Sequence, residues 1–224
     1  MHGLEAMERK FGTQDQRRAL AHNKLIEATI GLIAEDGLQG FSLSDVGRRA
    51  GVSRALPGHH FKSRAELVRQ AVQRVFDPGP ERIEVGLQPM LDTISARLTE
   101  AAERSWTSRA LARLLASPLP TDLAALHEQY RANWRSLLVR HLKVALNLEQ
   151  VRTDLDPDAV APVLLGLIHG EIIRLGAEEG TPEVFLALLA HAMARAEPTS
   201  AKRGARATGP KPAKDDGKEN PFGF

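Results

Sequence analysis

FSLSDVGRRAGVSRALPGHHFKSRAEL, residues 41–67, divides into three short pieces, each with its own start signal. Ser42 precedes an apolar-periodic run and Asp45 stands three residues later, which is close to a capping box. In that arrangement the hydroxyl accepts from an orphan backbone N–H and the acid favours the positive end of the helix. Leu43, Val46 and Ala50 then share one face of a short helix. Gly51 falls where the chain must turn, because glycine takes φ > 0 without strain. Val52 is an apolar plug, Ser53 is placed to cap a second short helix, and Phe61 closes that unit. Ser63 and Glu66 have true Ser-x-x-Glu spacing and open a third helix.

Two short helices joined by a tight glycine turn, the second polar and basic, form a helix-turn-helix. Such a unit would carry Arg54, His59 and His60 toward a DNA groove. The pattern alone fits two helices of an ordinary all-α domain about as well. The residues tip the balance. Ala50-Gly51-Val52-Ser53, then His60-Phe61, then Ser63-Arg64 and Leu67 resemble the N-terminal domain of the TetR family of bacterial transcriptional regulators. The resemblance is specific over residues 17–76, and beyond them it rests on length and helical pattern.

One departure matters. The family usually carries Tyr two residues before the His, whereas this chain has Gly58, preceded by Pro57. The phosphate contact of that Tyr is therefore absent. Pro57 also falls four residues after Ser53, where a helical N–H would first be used, and this predicts a short or kinked recognition helix. The expected DNA face has Arg54, His59 and His60 toward the bases, and Ser42, Ser53, Lys62 and Arg64 on the backbone. Ser44 and Ala55 lie beside them. Arg17 and Arg18, at the start of the first helix, stand where family members often touch phosphate, though solvated surface arginines account for them equally.

The 224 residues suffice for one large or two modest domains. The chain has no Cys, which excludes disulfides and thiolate metal sites. No run of about 18 apolar residues marks a membrane span. The first 18 residues lack a signal-peptide core, so a cytoplasmic protein is expected. Net charge is +2, unevenly spread. Residues 1–76 hold 12 Lys/Arg against 8 Asp/Glu, residues 77–197 hold 12 against 17, and residues 198–224 hold 6 against 3. A basic head on an acidic body suits a protein whose head alone meets DNA.

The pattern is helical throughout, so the expected fold is all-α: a helix-turn-helix domain followed by a helical ligand-binding and dimerisation domain. Residues 1–13 are expected to be disordered, residues 14–76 to form the DNA-binding domain with a connector helix over 63–76, residues 77–197 the body, and residues 198–224 a disordered basic tail. The first helix is expected from Thr13 or Asp15 to Glu35. In the connector, Leu67, Ala71 and Val75 form one apolar row and Val68, Val72 and Phe76 a second, so it can pack against two bodies. Met90, Leu91, Ile94 and Leu98 mark one body helix, and Leu111, Leu114 and Leu115 another. A long helix over Thr121–Asn147 follows. Asp156-Pro157 and Thr181-Pro182 start two last helices, over about 157–176 and 182–196, which are apolar nearly all round. A second copy of the chain would cover them as a two-fold four-helix interface, with Gly166 and Gly170 permitting close approach; a buried core pair in a monomer is the alternative.

No His-Glu-x-x-His, Gly-x-Ser-x-Gly or phosphate loop is present. His59 and His60 are adjacent, so on a helix they point about 100° apart and cannot chelate one metal. No catalytic residue, metal or cofactor is expected, and an enzyme on a helical body is weakly supported. The resemblance implies a small-molecule pocket in the body, for which Met90, Trp106, Tyr130, Trp134 and His169 are candidates. Core packing accounts for each of them singly. The leading reading is a repressor that binds a palindromic operator in double-stranded DNA as a homodimer and is released by a small-molecule effector. A ligand-independent DNA-binding or architectural protein is the alternative.

Overall fold

The computed structural model describes residues 2–77 and 84–194, with side chains from residue 14. Among them run helices α1 (His2–Asp36), α2 (Leu43–Arg49), α3 (Leu56–His60), α4 (Arg64–Val75), α5 (Leu87–Ala102), α6 (Trp106–Ala116), α7 (Thr121–Asn147), α8 (Pro157–Ala177) and α9 (Glu183–Met193). The described residues contain no strand beyond an isolated bridge between Val151 and Ala194. The all-α expectation holds. The segment 198–224, expected to be a disordered tail, lies outside the described residues.

The local start signals act as the residues dictate. Ser42 Oγ accepts from the Asp45 N–H at 3.3 Å, and the Ser42 N–H donates to Asp45 Oδ2 at 2.9 Å, a complete capping box. Ser63 caps α4 by accepting from the Glu66 N–H at 3.1 Å. The Glu66 carboxylate reaches one residue further back than a box requires, to the Lys62 N–H at 2.8 Å. Asp156 caps α8 with Pro157 in the first turn, and α7 spans the predicted Thr121–Asn147.

Three boundaries differ from expectation. Helix α1 starts at His2, where a disordered segment to residue 13 and a helix from Thr13 or Asp15 were expected. Residues 4–10 are mostly good helix formers, and extending an existing helix avoids the cost of a nucleus. Ser53 does not cap α3; Ala55 occupies the N-cap, without a side-chain hydrogen bond. A helix begun after Ser53 would put Pro57 where an N–H is first needed, so the start slides until Pro57 sits in the first turn. What remains is a recognition helix of five residues. At the last helix Pro182, one residue beyond Thr181, is the N-cap, and α9 ends at Met193.

Helix α8 also corrects the expectation that nothing resembles a membrane span, since by length and composition alone it could cross one. One face is spent on the core instead: Ala161, Leu164, Leu165, Ile168, Ile172 and Leu175 are buried against α5, α6 and α7.

The head comprises α1 to α3 with α4 beneath. Both predicted rows of α4 are buried, Leu67, Ala71 and Val75 together with Val68, Val72 and Phe76. The helix packs on α1 and also on α6 and α7 of the body. Within the head, Gly47 of α2 meets the backbone of the turn that precedes α3. A Cβ there would stand 2.9 Å from the Ser53 carbonyl oxygen and 3.1 Å from the Arg54 Cα. Gly51, at φ +70, makes the turn between the two helices.

Gly47 yields a test whose sign is informative. Helix propensity alone predicts that Gly47→Ala stabilises by about 1 kcal/mol. The backbone overlap predicts a net loss of about 1–3 kcal/mol instead. Urea denaturation decides, and a stabilised variant would show that the turn can open freely.

Candidate functional site

The outer surface of the helix-turn-helix carries most of the predicted DNA face. Ser42, Ser44, Ser53, Arg54, Ala55, His59 and Lys62 are exposed. The Ser42 hydroxyl is already engaged, with Asp45 Oδ2 at 2.6 Å and Ser44 Oγ at 2.9 Å. Arg17 and Arg18 are exposed on α1, and the charge of Arg18 acts on His60, so this end of α1 borders α3. Arg48, in the last turn of α2, adds an exposed cation that the sequence reading passed over, paired with Asp45 at 2.7 Å.

Two expected members behave differently. His60 is half-buried, with its ring 6.3 Å from that of His22 and 6.4 Å from that of Phe61. Burial holds its pKa below the ordinary value, reinforced by His22, Arg18 and His59. Arg64 does not reach outward as a phosphate contact. Its guanidinium donates through Nε to the Phe41 carbonyl at 2.9 Å and through Nη2 to the Leu38 carbonyl, and it lies 4.7 Å above the Phe41 ring. The loop between α1 and α2 has no ladder to satisfy those carbonyls, and the arginine fork supplies what is missing.

Head and body are joined at a second place besides α4. Arg49 of α2 pairs with Glu35 of α1 and lies 4.7 Å over the ring of Trp106, the first residue of α6. Arg109 flanks the same ring at 5.1 Å. Arg113 Nη1 donates to the carbonyls of Ala34 and Glu35, at 3.3 and 3.0 Å, and so caps the C-terminal end of α1 from the body. Trp106, expected to line a body pocket, is thus a seam residue at 45% exposure, held between arginines of α2 and α6.

The other predicted pocket residues do converge or are buried with the convergent set. Tyr130 stacks on His169 with centroids 5.6 Å apart and meets Trp134 edge-on at 6.5 Å. Phe76, at the end of α4, stacks on Tyr130 at 4.8 Å and on His127 at 5.7 Å. A line of rings therefore runs from the connector helix into the body. Met90 is buried in α5. The residue that the sequence reading missed is Arg97 of α5, whose charge acts on both Tyr130 and His169. Burial raises the Tyr130 pKa and lowers that of His169 to about 4, the latter helped by Arg131, His127 and Arg97. On the outer side of Tyr130, a cleft of about 700 Å³ lies between α4 and α7, lined by Arg69, Gln73, Phe76, Gln129 and Asn133 among others. Among the described residues no cluster of His and acidic side chains could hold a metal.

The faces of α8 and α9 that the core leaves free are apolar. Val163 and Leu167 on α8 are 64% and 53% exposed, and Val184 and Leu188 on α9 are 71% and 66%. Gly166 and Gly170 share the α8 stripe and meet nothing within 4 Å.

Residues 25–71 match the family profile described as bacterial regulatory proteins, tetR family, and residues 90–197 match that of the BetI-type transcriptional repressor C-terminal region. The HTH-type transcriptional regulator CymR of Pseudomonas putida is 36% identical over 100 residues, which are 43% of this chain and 49% of that protein. The HTH-type transcriptional regulator BetI of Serratia proteamaculans strain 568 is 29% identical over 92 residues, 41% of this chain and 44% of that one. The chain thus spans about half the length of the curated relatives it matches. In fold it is similar to a TetR-family transcriptional regulator from Agrobacterium tumefaciens, with a TM-score of 0.69 at 16% identity over 79% of this chain and 99% of that one. These profiles and relatives are regulators, not enzymes.

His169 makes stability depend on pH. Its pKa is lowered from 6.5 to about 4, so between those values the unfolded chain binds the additional proton. The stability is complete above pH 6.5 and falls as the pH drops toward 4. The loss is on the order of 2–3 kcal/mol. His169→Gln should flatten this part of the profile in thermal denaturation from pH 7.5 to 5. An unchanged slope would assign the effect to His127, His141 and His60, whose pKa values are also lowered.

Proposed function

The chain belongs to the tetR family of bacterial regulatory proteins, and from that premise we propose that it is a dimeric, DNA-binding transcriptional repressor released from its operator by a small molecule. The observation that carries this reading is the capped helix-turn-helix, with Arg48, Arg54, His59 and Lys62 exposed on one small unit. The short α3 presents Arg54 just before its first turn and His59 at its end, and these read base edges. Ser44, Ser53, Lys62, Arg48 and the arginines of α1 hold phosphates. The regulator works in the cytoplasm, where the operator is.

Dimerisation uses α8 and α9. Four large apolar side chains more than half exposed, on helices with small residues between them, support an isologous two-fold contact. Two heads then meet a palindromic site with half-sites ~34 Å or a multiple apart.

Release is a population shift. An effector in the body must favour one packing over another, or it changes nothing. The ring line His169–Tyr130–Phe76 would hand a change in the body to the C-terminal end of α4, which also packs on α1 and α6. Tilting α4 alters the separation of the two heads, and a coupling of about 1–3 kcal/mol lowers operator affinity 5- to 150-fold.

Selection of bound sequences from random duplex DNA tests the reading and supplies the operator. On that operator Arg54→Ala should cost about 1–3 kcal/mol and relax preference at one base position. Wild-type affinity in that variant would remove Arg54 from the base-reading set. The double variant Leu167→Glu, Leu188→Glu should sediment as a folded monomer at micromolar concentration and lose operator binding. A folded dimer would move the interface elsewhere.

A further inference from the structure

The body holds buried polar atoms that the fold itself does not use. Arg97 gives Nη1 to Glu100 at 3.0 Å, and its side chain is 13% exposed. Its Nε and Nη2 are buried and make no well-formed hydrogen bond, although the guanidinium comes close enough to the Tyr130 hydroxyl to favour its ionised form. Trp134 Nε1 and His169 Nε2 have no partner, and the Tyr130 hydroxyl has none beyond that approach of Arg97, although Tyr130 and Trp134 are only 2% and 4% exposed. These side chains come from α5, α7 and α8. They form one cluster, since the rings of Tyr130, Trp134 and His169 are in contact and the Arg97 charge acts on two of them. Leaving buried donors unpaired costs stability, and a core built only to pack would use apolar residues here.

The pattern of free atoms identifies what fits. Nε and Nη2 are the side-on edge of a guanidinium, the two parallel donors that match both oxygens of a carboxylate. Trp134 can only donate, and Arg97 can only donate and stays charged. The complement is therefore an acceptor with negative charge. Glu100 offsets the Arg97 charge, while Arg131 acts on His169 as a second cation, so the balance suits a single negative charge. Around these donors stand rings, with Phe76 continuing the stack beyond Tyr130.

We propose that this cluster binds the carboxylate of an amphipathic organic monoanion, both oxygens on the Nε and Nη2 edge of Arg97, with its apolar body against Tyr130, Trp134, His169 and Phe76. The proposal rests on the reading of the body as the effector-binding part of the regulator, and it names the class of effector. It also explains how a ligand reaches the connector helix, because Phe76 is both a ring of the stack and the C-cap of α4.

The test is direct binding without DNA, so that failure here is distinct from failure of operator recognition. The chain has two tryptophans, and Trp106→Phe leaves Trp134 as the sole reporter, removing only the seam residue. Phenylacetate, 4-phenylbutyrate and octanoate are titrated beside their primary amides, with emission and thermal shift as readouts. At least one acid should bind about tenfold or more tightly than its amide. Arg97→Gln and Arg97→Lys should each erase that preference, the lysine because it keeps the charge but loses the fork. The wild-type acid-to-amide comparison stands even where an Arg97 variant fails to fold. Acid and amide binding alike, or an acid preference that survives in Arg97→Gln, overturns the assignment and leaves the ligand-responsive repressor intact. No acid binding up to about 10 mM in a protein that still binds its operator also overturns it, and gives the unpaired atoms to ordered water.

Discussion

Helix α4 is apolar on two faces, and twelve residues of helix cannot hide both against one partner. The chain answers by seating it between α1 and the α6–α7 face of the body. Most other features of the head follow from that placement. The Ser63 cap fixes where α4 begins, Arg64 in its first turn reaches up to hold the α1–α2 loop, and Phe76 at its end enters the ring stack of the body. One short helix is thus covalently under the recognition unit and sterically inside the body. Changes in either are felt at the same twelve residues.

The head is economical in its contacts. The recognition helix is a single turn and a half, limited by Pro57, and it owes its position to its neighbours more than to its own hydrogen bonds. Gly47 brings the backbone of Ser53 and Arg54 against α2, and His22 stacks at 4.7 Å on Phe61 to close the other side. An element so short is rigid only while those contacts last. Its presentation of Arg54 and His59 is therefore a property of α1 and α2 as much as of α3.

What was legible in the sequence was what local chemistry decides. The Ser42–Asp45 box, the Asp156-Pro157 start, the span of α7 and both rows of α4 follow from residues a few positions apart. What was not legible depends on partners distant in the chain. Arg64 and Arg97 look like surface cations, yet the carbonyls that hold Arg64 are 23 and 26 residues away and the rings around Arg97 lie on other helices. Trp106 was grouped with Tyr130 and Trp134 by size, while its neighbours are arginines of α2 and α6. Periodicity gives the face of a helix but not which element that face meets. Ser53 failed for a subtler reason, since two start signals competed and the proline outweighed the serine.

The seam between head and body has a bearing on modularity. A recombination boundary drawn by the sequence pattern would fall after Phe76, where the connector ends. Yet the last carbonyls of α1 are capped by Arg113, and Arg49 of α2 rests on Trp106, both residues of α6. A chimera that joins this head to another body at residue 77 inherits the loop but forfeits the cap. A viable exchange has to carry positions 106 and 113 with the head, although they sit well beyond the junction. The head is therefore a unit discontinuous in sequence: its own helices plus two side chains lent by the body.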